Sequence, residues 1–407
     1  MNEENRTVTI EKNNLIAKNI DSFMISLLLM SSVIMVFLST HYGISVKLSA
    51  YGIASVMFLF FCIRLFLIRN IRCSVGSVIF IILIVALVLL SKIYLKEVNY
   101  SIFQLFFYLI IPIIIAQQIV DFKQVIFQVM IISIPLVFGL DDMLVLDNVG
   151  LHQADMYNIY SFIPTIGASI VYLLFYYKRS SKMNLVLLLN VYYLYRVVSV
   201  ATRGVWLVVI VFCVCILIYV FKEKVSRNTY YFLILLGMGL ALGIVFKFNT
   251  VITTSVYYLE KIVGSDFGFV VKTKRLLAKG DISNGRMELW KNIWKFIRLN
   301  PVTGYGIEAT SRLTSNKYPY PHNFMLQLIL DCGLIGTYPI WIFIKMMISY
   351  VKKEFWDIEN NIQFIYFFSI SIPIVFLSCD VWKFVSFWIF IGFGIRMTKK
   401  PTQRSTN

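Results

Sequence analysis

The chain has 407 residues, of which 59% are hydrophobic and only 14% charged, against roughly 25% charged in an ordinary soluble domain. That composition excludes a soluble enzyme and describes an all-α polytopic membrane protein. The formal charge of +17 invites a nucleic-acid reading, but the placement of the cations explains it by topology and calls for no nucleic-acid partner.

In chain order, about twelve apolar runs approach the ~20 residues that cross a bilayer core. They cover residues 21 to 40, 44 to 63, 75 to 95, 100 to 120, 124 to 140, 158 to 177, 184 to 200, 204 to 221, 230 to 247, 324 to 350, 362 to 379 and 382 to 396. The first is as long as a spanning helix and no small-residue cleavage site follows it, so it reads as a first span and not a removed signal. No strand-like alternation recurs at the spacing of a transmembrane β-barrel. The six cysteines form no CxxC pair, and Cys213 and Cys215 do not share a helix face, so packing is their expected role.

Lys and Arg collect at alternate ends of the runs, as at Arg64, Arg69 and Arg72, at Lys178, Arg179 and Lys182, at Lys222, Lys224 and Arg227, and at Arg396, Lys399 and Lys400. The bias predicts cytoplasmic termini. The expected organisation is a cytoplasmic tail over 1–20, a bundle of about nine helices over 21–247, an outside loop over 248–321, further helices over 322–396 and a cytoplasmic tail over 397–407. Gln117 and Gln118 near the end of the fourth run are expected at the interface, and nothing in the pattern singles them out. His41 falls in a short outside turn and is expected to be solvated.

Three later stretches carry polar chemistry. The connection from Asp141 to Asp155 gathers Asp141, Asp142, Asp147, His152 and Asp155 without a Lys or Arg. It suits a cation or a sugar, and equally an outside loop depleted of positive charge. Tyr192, Tyr193, Tyr195 and Arg196 then close the seventh run, and Arg203 with Gly204 opens the eighth. Between 247 and 320 stand twelve Lys or Arg against five acidic residues. Such a loop either rests in solvent or on a lipid surface, or draws an anionic head group to a membrane-level cavity.

Within that loop, Trp290, Ile293, Trp294 and Ile297 recur at helical spacing while Lys291, Lys295 and Arg298 take another face, predicting an amphipathic helix. Asn284 is the expected cap and Glu288 suits the first turn, and Pro301, Gly304 and Gly306 end the helix. Beyond it His322 stands at the mouth of a second helix, on which Asn323, Gln327 and Asp331 form a polar stripe spaced by four.

Three motifs taken together are similar to the O-antigen ligase and polymerase superfamily of bacterial envelope proteins. They are ThrArgGlyValTrp at 202 to 206, AsnGlyArgMetGluLeuTrp at 284 to 290 with AsnProValThrGlyTyrGly at 300 to 306, and ProHisAsnPheMetLeuGlnLeuIleLeuAspCysGlyLeuIleGly at 321 to 336. The resemblance covers roughly 200 to 340. It implies a GT-C-like bundle in the bacterial cytoplasmic (inner) membrane, with the large loop on the periplasmic or extracellular face. The implied enzyme is an inverting glycosyltransferase that works without metal or cofactor. Its donor and acceptor would be oligosaccharides on undecaprenyl pyrophosphate, and a chain-length regulator is an admissible partner.

By the same resemblance Arg203 and Arg286 correspond to arginines that hold the donor pyrophosphate, and His322 to the residue that activates the acceptor hydroxyl. Asp331 stands where the family often has Glu, and is expected to support the site with Asn323. The chemistry agrees, since guanidinium forks bind phosphate oxygens in pairs and imidazole titrates near neutrality. Trp290, Tyr318 and Tyr320 are candidate sugar contacts, or members of an interfacial aromatic belt. A repeat-unit polymerase is the preferred reading, with a ligase to lipid A core or protein as its close variant and a transporter as the distant one.

Overall fold

The structure, a computed structural model, describes residues 3–67, 71–95, 101–118, 120–137, 162–177, 203–226, 248–265, 268–278, 285–352, 357–377 and 379–398, with a few isolated positions between 184 and 232. The acidic connection 141–155, the Tyr192 to Arg196 cluster, Asn284 and most of the runs at 184 to 200 and 230 to 247 lie outside the described residues.

Among the described residues every regular element is helical. The first half supplies α1 (Glu3–Tyr42), α2 (Val46–Leu67), α3 (Val75–Leu95), α4 (Ile102–Ala116), α5 (Phe122–Val137), α6 (Ile163–Tyr176) and α7 (Arg203–Lys224). The segment expected outside the membrane supplies α8 (Phe248–Val263), α9 (Gly268–Ala278), α10 (Arg286–Leu299) and the short α11 (Ala309–Leu313). The C-terminal part is α12 (Phe324–Cys332), a 3-10 turn over Gly333–Gly336, α13 (Thr337–Val351), α14 (Ile358–Leu377), a 3-10 turn over Val381–Lys383 and α15 (Val385–Thr398).

Four helical stretches are long and apolar enough to cross a membrane: Asn14–Tyr42, Val46–Phe66, Val75–Ile93 and Phe324–Val351. The described residues thus carry four such spans where the sequence suggests about twelve. Several other apolar runs form shorter helices, among them Ile102–Ala116, Phe122–Leu136 and Ile163–Tyr176. Two of these contain a π turn, over Phe106–Ile110 and Tyr172–Tyr176.

α1 packs on α2 and α5, α4 on α15, and α14 on α6, α7 and α15. The largest fully buried side chains are Trp382, Trp388, Tyr172, Tyr350 and Tyr366. Phe324 sits among Phe376, Phe387 and Phe343, with ring centroids 4.9, 5.1 and 5.6 Å away. Lipid is as apolar as these side chains, so close packing and polar contacts between helices must do what the hydrophobic effect does in water.

The main polar contact of the bundle is built on the two glutamines that the sequence pattern passes over. Gln117 and Gln118 are buried within the protein. Gln118 accepts from Arg64 Nη2 at 3.0 Å and from the Arg72 amide at 3.1 Å, and donates to the Arg72 carbonyl at 2.8 Å. Arg64 also pairs with Asp21 at 3.1 Å. Arg396, at the end of α15, donates to the Gln118 carbonyl at 2.6 Å and to Gln363 at the start of α14. One desolvated cluster therefore ties α1, α2, α4, α14 and α15 together, which explains why each member is satisfied within the protein. The cysteines divide: Cys215, Cys332 and Cys379 pack inside, while Cys62 and Cys213 are exposed, and all six are free. His41 ends α1 exposed, its ring stacked on Phe37 at 5.4 Å.

Candidate functional site

At the other ends of α14 and α15, residues 285 to 336 build a folded cap on the bundle. α10 packs through Leu289, Ile293 and Ile297 against Ala309 and Leu330, with Trp290 alongside. The expected amphipathic helix is present, but its buried stripe includes Leu289, and Trp294 lies on the exposed side. The helix starts from Gly285 at φ 78°, with no side-chain cap. A Cβ at Gly285 would lie 2.9 Å from the Tyr318 hydroxyl, so the left-handed backbone favours glycine here and any larger residue would have to displace the Tyr318 side chain.

The Val302–Gly306 strip runs along the C-terminal turn of α12. The Tyr305 and Gly306 amides donate to the Leu330 and Asp331 carbonyls at 2.8 and 2.9 Å, and the Leu334 amide donates to the Val302 carbonyl at 3.0 Å. Carbonyls that a helix end leaves without partners are thereby satisfied. The approach is so close that a Cβ on Gly333, itself at φ 55°, would come within 2.2 Å of the Val302 oxygen. This contact accounts for pairing the ValThrGlyTyrGly and AspCysGlyLeuIleGly motifs. Arg312, one of the loop cations, is spent on the same fold, donating to the Ile307 and Tyr305 carbonyls at 2.7 and 2.6 Å.

His322 leads into α12. Asn323 caps that helix, its side-chain oxygen accepting from the Met325 and Leu326 amides at 3.0 and 3.2 Å. His322 itself is half-buried at φ 56°, with its ring centroid 4.4 Å from that of the buried Tyr320. Among the described residues the positive-φ non-glycine positions are Glu308, Ser315, Asn316 and His322, all on this cap. For an L-residue other than Asn such a conformation costs about 1–2 kcal/mol, and such strain concentrates at functional sites.

Arg286 is the first residue of α10 and lies one turn before Trp290 on its inner face. Trp290 donates from its indole N–H to the Pro321 carbonyl at 2.7 Å. The helix that carries Arg286 is therefore fastened to the residue preceding His322, which brings these two positions onto one corner of the cap. Tyr318 closes that corner against Gly285, and the Lys317 ammonium stands 5.3 Å from its ring centre. Arg203 is the first residue of α7, which packs on α14, the helix leading into Cys379–Lys383.

The polar stripe of α12 finds its partner in the 380–382 turn, which no motif in the sequence marks. Gln327 donates to Asp380 at 2.6 Å and accepts from the Val381 amide at 3.2 Å. Asp331 is 0% exposed and accepts from the Trp382 indole at 2.7 Å and from the Ala309 amide at 3.3 Å. Eight residues of helix separate it from Asn323, about 12 Å along the axis. Its carboxylate thus locks α12 to the 380–382 turn and to α11. Asp380 also accepts from the Trp382 amide at 3.1 Å, and Lys383 stands 3.5 Å from Asp380 and 3.6 Å from Glu308. Burial pushes the Asp380 carboxyl above its ordinary range, against the pull of Lys383 and the Gln327 hydrogen bond. The available signal was the stripe itself, since a carboxamide and a carboxylate buried on one face demand partners.

Among the described residues no group of three His, Cys, Asp or Glu is arranged to hold a metal ion. Chemically the cap offers an imidazole held at a strained corner, a guanidinium on the adjoining helix start, and aromatic rings around them. No curated protein and no solved structure matches the chain. Residues 185–340 match the family model described as O-Antigen ligase, a span that contains the Arg203, Arg286 and His322 motifs. Over that stretch the chain is similar to the O-antigen ligase family, and the match supports the resemblance to the O-antigen ligase and polymerase superfamily, whose members are glycosyltransferase-like enzymes.

Proposed function

We propose that the protein is a polymerase of lipid-linked oligosaccharide repeat units, acting on the outer face of the bacterial cytoplasmic membrane. The donor is a glycan on undecaprenyl pyrophosphate and the acceptor is the sugar hydroxyl of a second lipid-linked unit. In this reading the chain crosses the membrane about twelve times, with both termini cytoplasmic and the cap outside.

The acceptor oxygen attacks the anomeric carbon and its proton passes to the His322 imidazole. The bond from that carbon to the pyrophosphate oxygen breaks with inversion, and undecaprenyl pyrophosphate leaves. Arg203 and Arg286 neutralise the charge that grows on the leaving group, an interaction stronger in the transition state than before it. Tyr318, half-buried, is the ring left to meet a sugar face, since Tyr320 is buried against His322 and Trp290 is committed to Pro321. No metal is required, because the guanidinium groups supply the positive charge.

The observation that carries this reading is the Trp290 to Pro321 hydrogen bond, which joins the helix of Arg286 to the corner of His322 inside the family-matched segment. The description of that family as O-Antigen ligase favours a second reading, transfer of the finished glycan to lipid A core or to protein by the same residues. The test is a reconstituted reaction of purified protein with lipid-pyrophosphate-linked repeat units, resolved by product length. A ladder of lipid-linked glycans that vanishes in His322→Ala supports the polymerase. Product only when a core-lipid or protein acceptor is supplied supports the ligase. Intact substrate redistributed across vesicles, with no new glycosidic bond, refutes both in favour of transport.

A further inference from the structure

α10 has a second face that mixes large apolar side chains with cations, and within the described chain nothing packs on it. Leu289, Ile293 and Ile297 are buried in the cap, while Met287, Trp294 and Leu299 on the opposite side are exposed, Leu299 by 78%. Helical spacing places Lys291, Lys295 and Arg298 on that same arc, all exposed, with the Arg298 guanidinium 6.0 Å from the Trp294 ring centre. Glu288, at the edge of the arc in the first turn, is its one carboxylate. Alternating cations and large apolar groups on one face suit neither plain solvent nor a dry protein interface. They match the boundary between lipid head groups and acyl chains.

What adjoins the face supports the same occupant. Past Leu299 the chain reaches the exposed Val302, whose carbonyl is bonded to the Leu334 amide. Leu334 is 60% exposed, and seven residues further on Trp341 is also 60% exposed. Both belong to the candidate membrane span Phe324–Val351, and an exposed apolar side on a span is suited to lipid contact. The apolar surface therefore continues from a span onto α10 without a break in the chain contact.

From this we infer that the outer face of α10, formed by Met287, Lys291, Trp294, Lys295, Arg298 and Leu299, docks on an anionic lipid surface. Docking there sets the height of the cap above the bilayer and seats Arg286, at the start of the same helix, at head-group level. The inference stands on the exposed face alone and does not depend on which glycosyl transfer the cap performs.

The test uses the full chain in nanodiscs of phosphatidylcholine with or without phosphatidylglycerol, the acyl chains brominated or not. The emission of Trp294 is taken as the difference between wild type and Trp294→Phe. Brominated lipid is expected to quench most of that difference in anionic discs and less in neutral ones. Added salt should reverse the quenching in the wild-type protein, because exposed charges are screened. Replacing Lys291, Lys295 and Arg298 with Gln should weaken docking by about fivefold for each cation, with the remaining tryptophans unaffected. Trp294 emission indifferent to bromine, or quenched freely by aqueous iodide in anionic discs, overturns the inference and leaves the face to solvent or a protein partner. Quenching that ignores both salt and lipid charge overturns the anionic part of it.

Discussion

Trp382→Phe is the most exacting test of how the cap is held. The change removes the indole N–H that reaches Asp331 at 2.7 Å and leaves that carboxylate, which is 0% exposed, with the 3.3 Å contact to the Ala309 amide. Leaving a buried acceptor without its donor costs about 1–3 kcal/mol. Losing the outer part of the ring adds a packing cost, because Trp382 stacks on Trp388 with centroids 5.7 Å apart. The two costs separate in a double-mutant cycle with Asp331→Leu, since the second background has no carboxylate to strand. The coupling expected is about 1–3 kcal/mol, or roughly a five- to hundredfold change in the unfolding equilibrium. Far-UV circular dichroism in mixed micelles of rising denaturing-detergent content reads it without relying on tryptophan emission. A coupling below about 0.5 kcal/mol would show that Asp331 does not hold α12 to the 380–382 turn, and the account of the polar stripe would fall with it.

Gly285→Ala should destabilise the cap by about 1–2 kcal/mol from the left-handed backbone alone, and Tyr318→Phe should recover part of any excess, measured by thermal unfolding. Gly333→Ala should be far worse, because its Cβ meets a backbone oxygen at 2.2 Å that no side-chain motion can clear. His322→Ala should abolish transfer with insertion and helix content unchanged. Arg286→Lys and Arg203→Lys should each restore little activity relative to Ala, since an ammonium cannot grip phosphate oxygens in pairs. For Asp380, burial raises the folded-state pKa, so between the unfolded value of about 3.9 and the folded one the native state holds the extra proton. Stability from this group is then greatest at acid pH and declines as pH rises through that window. Asp380→Asn should flatten the decline in a series of melting temperatures, and a wild-type profile that rises there relative to Asp380→Asn would contradict the assignment.

Much of this was legible from local pattern. The apolar runs announced a helical membrane protein because a backbone in lipid has to satisfy its own hydrogen bonds. The 3.6-residue period announced the α10 helix, and the spacing of Asn323, Gln327 and Asp331 announced a polar stripe on α12, since both depend only on residues a turn apart. The motifs around Arg203, Arg286 and His322 pointed to the family that the match over 185–340 supports. Other features depended on partners far along the chain. Gln118 became a hub only when Arg64, Arg72 and Arg396 converged on it, and Asp331 found Trp382, 51 residues away in sequence. Glycines 285 and 333 declared their role only once Tyr318 and Val302 were seen against them. A sequence shows which groups cannot be left alone in an apolar medium. Which partner satisfies each is a matter of chain path, and that is decided by the packing of the whole bundle.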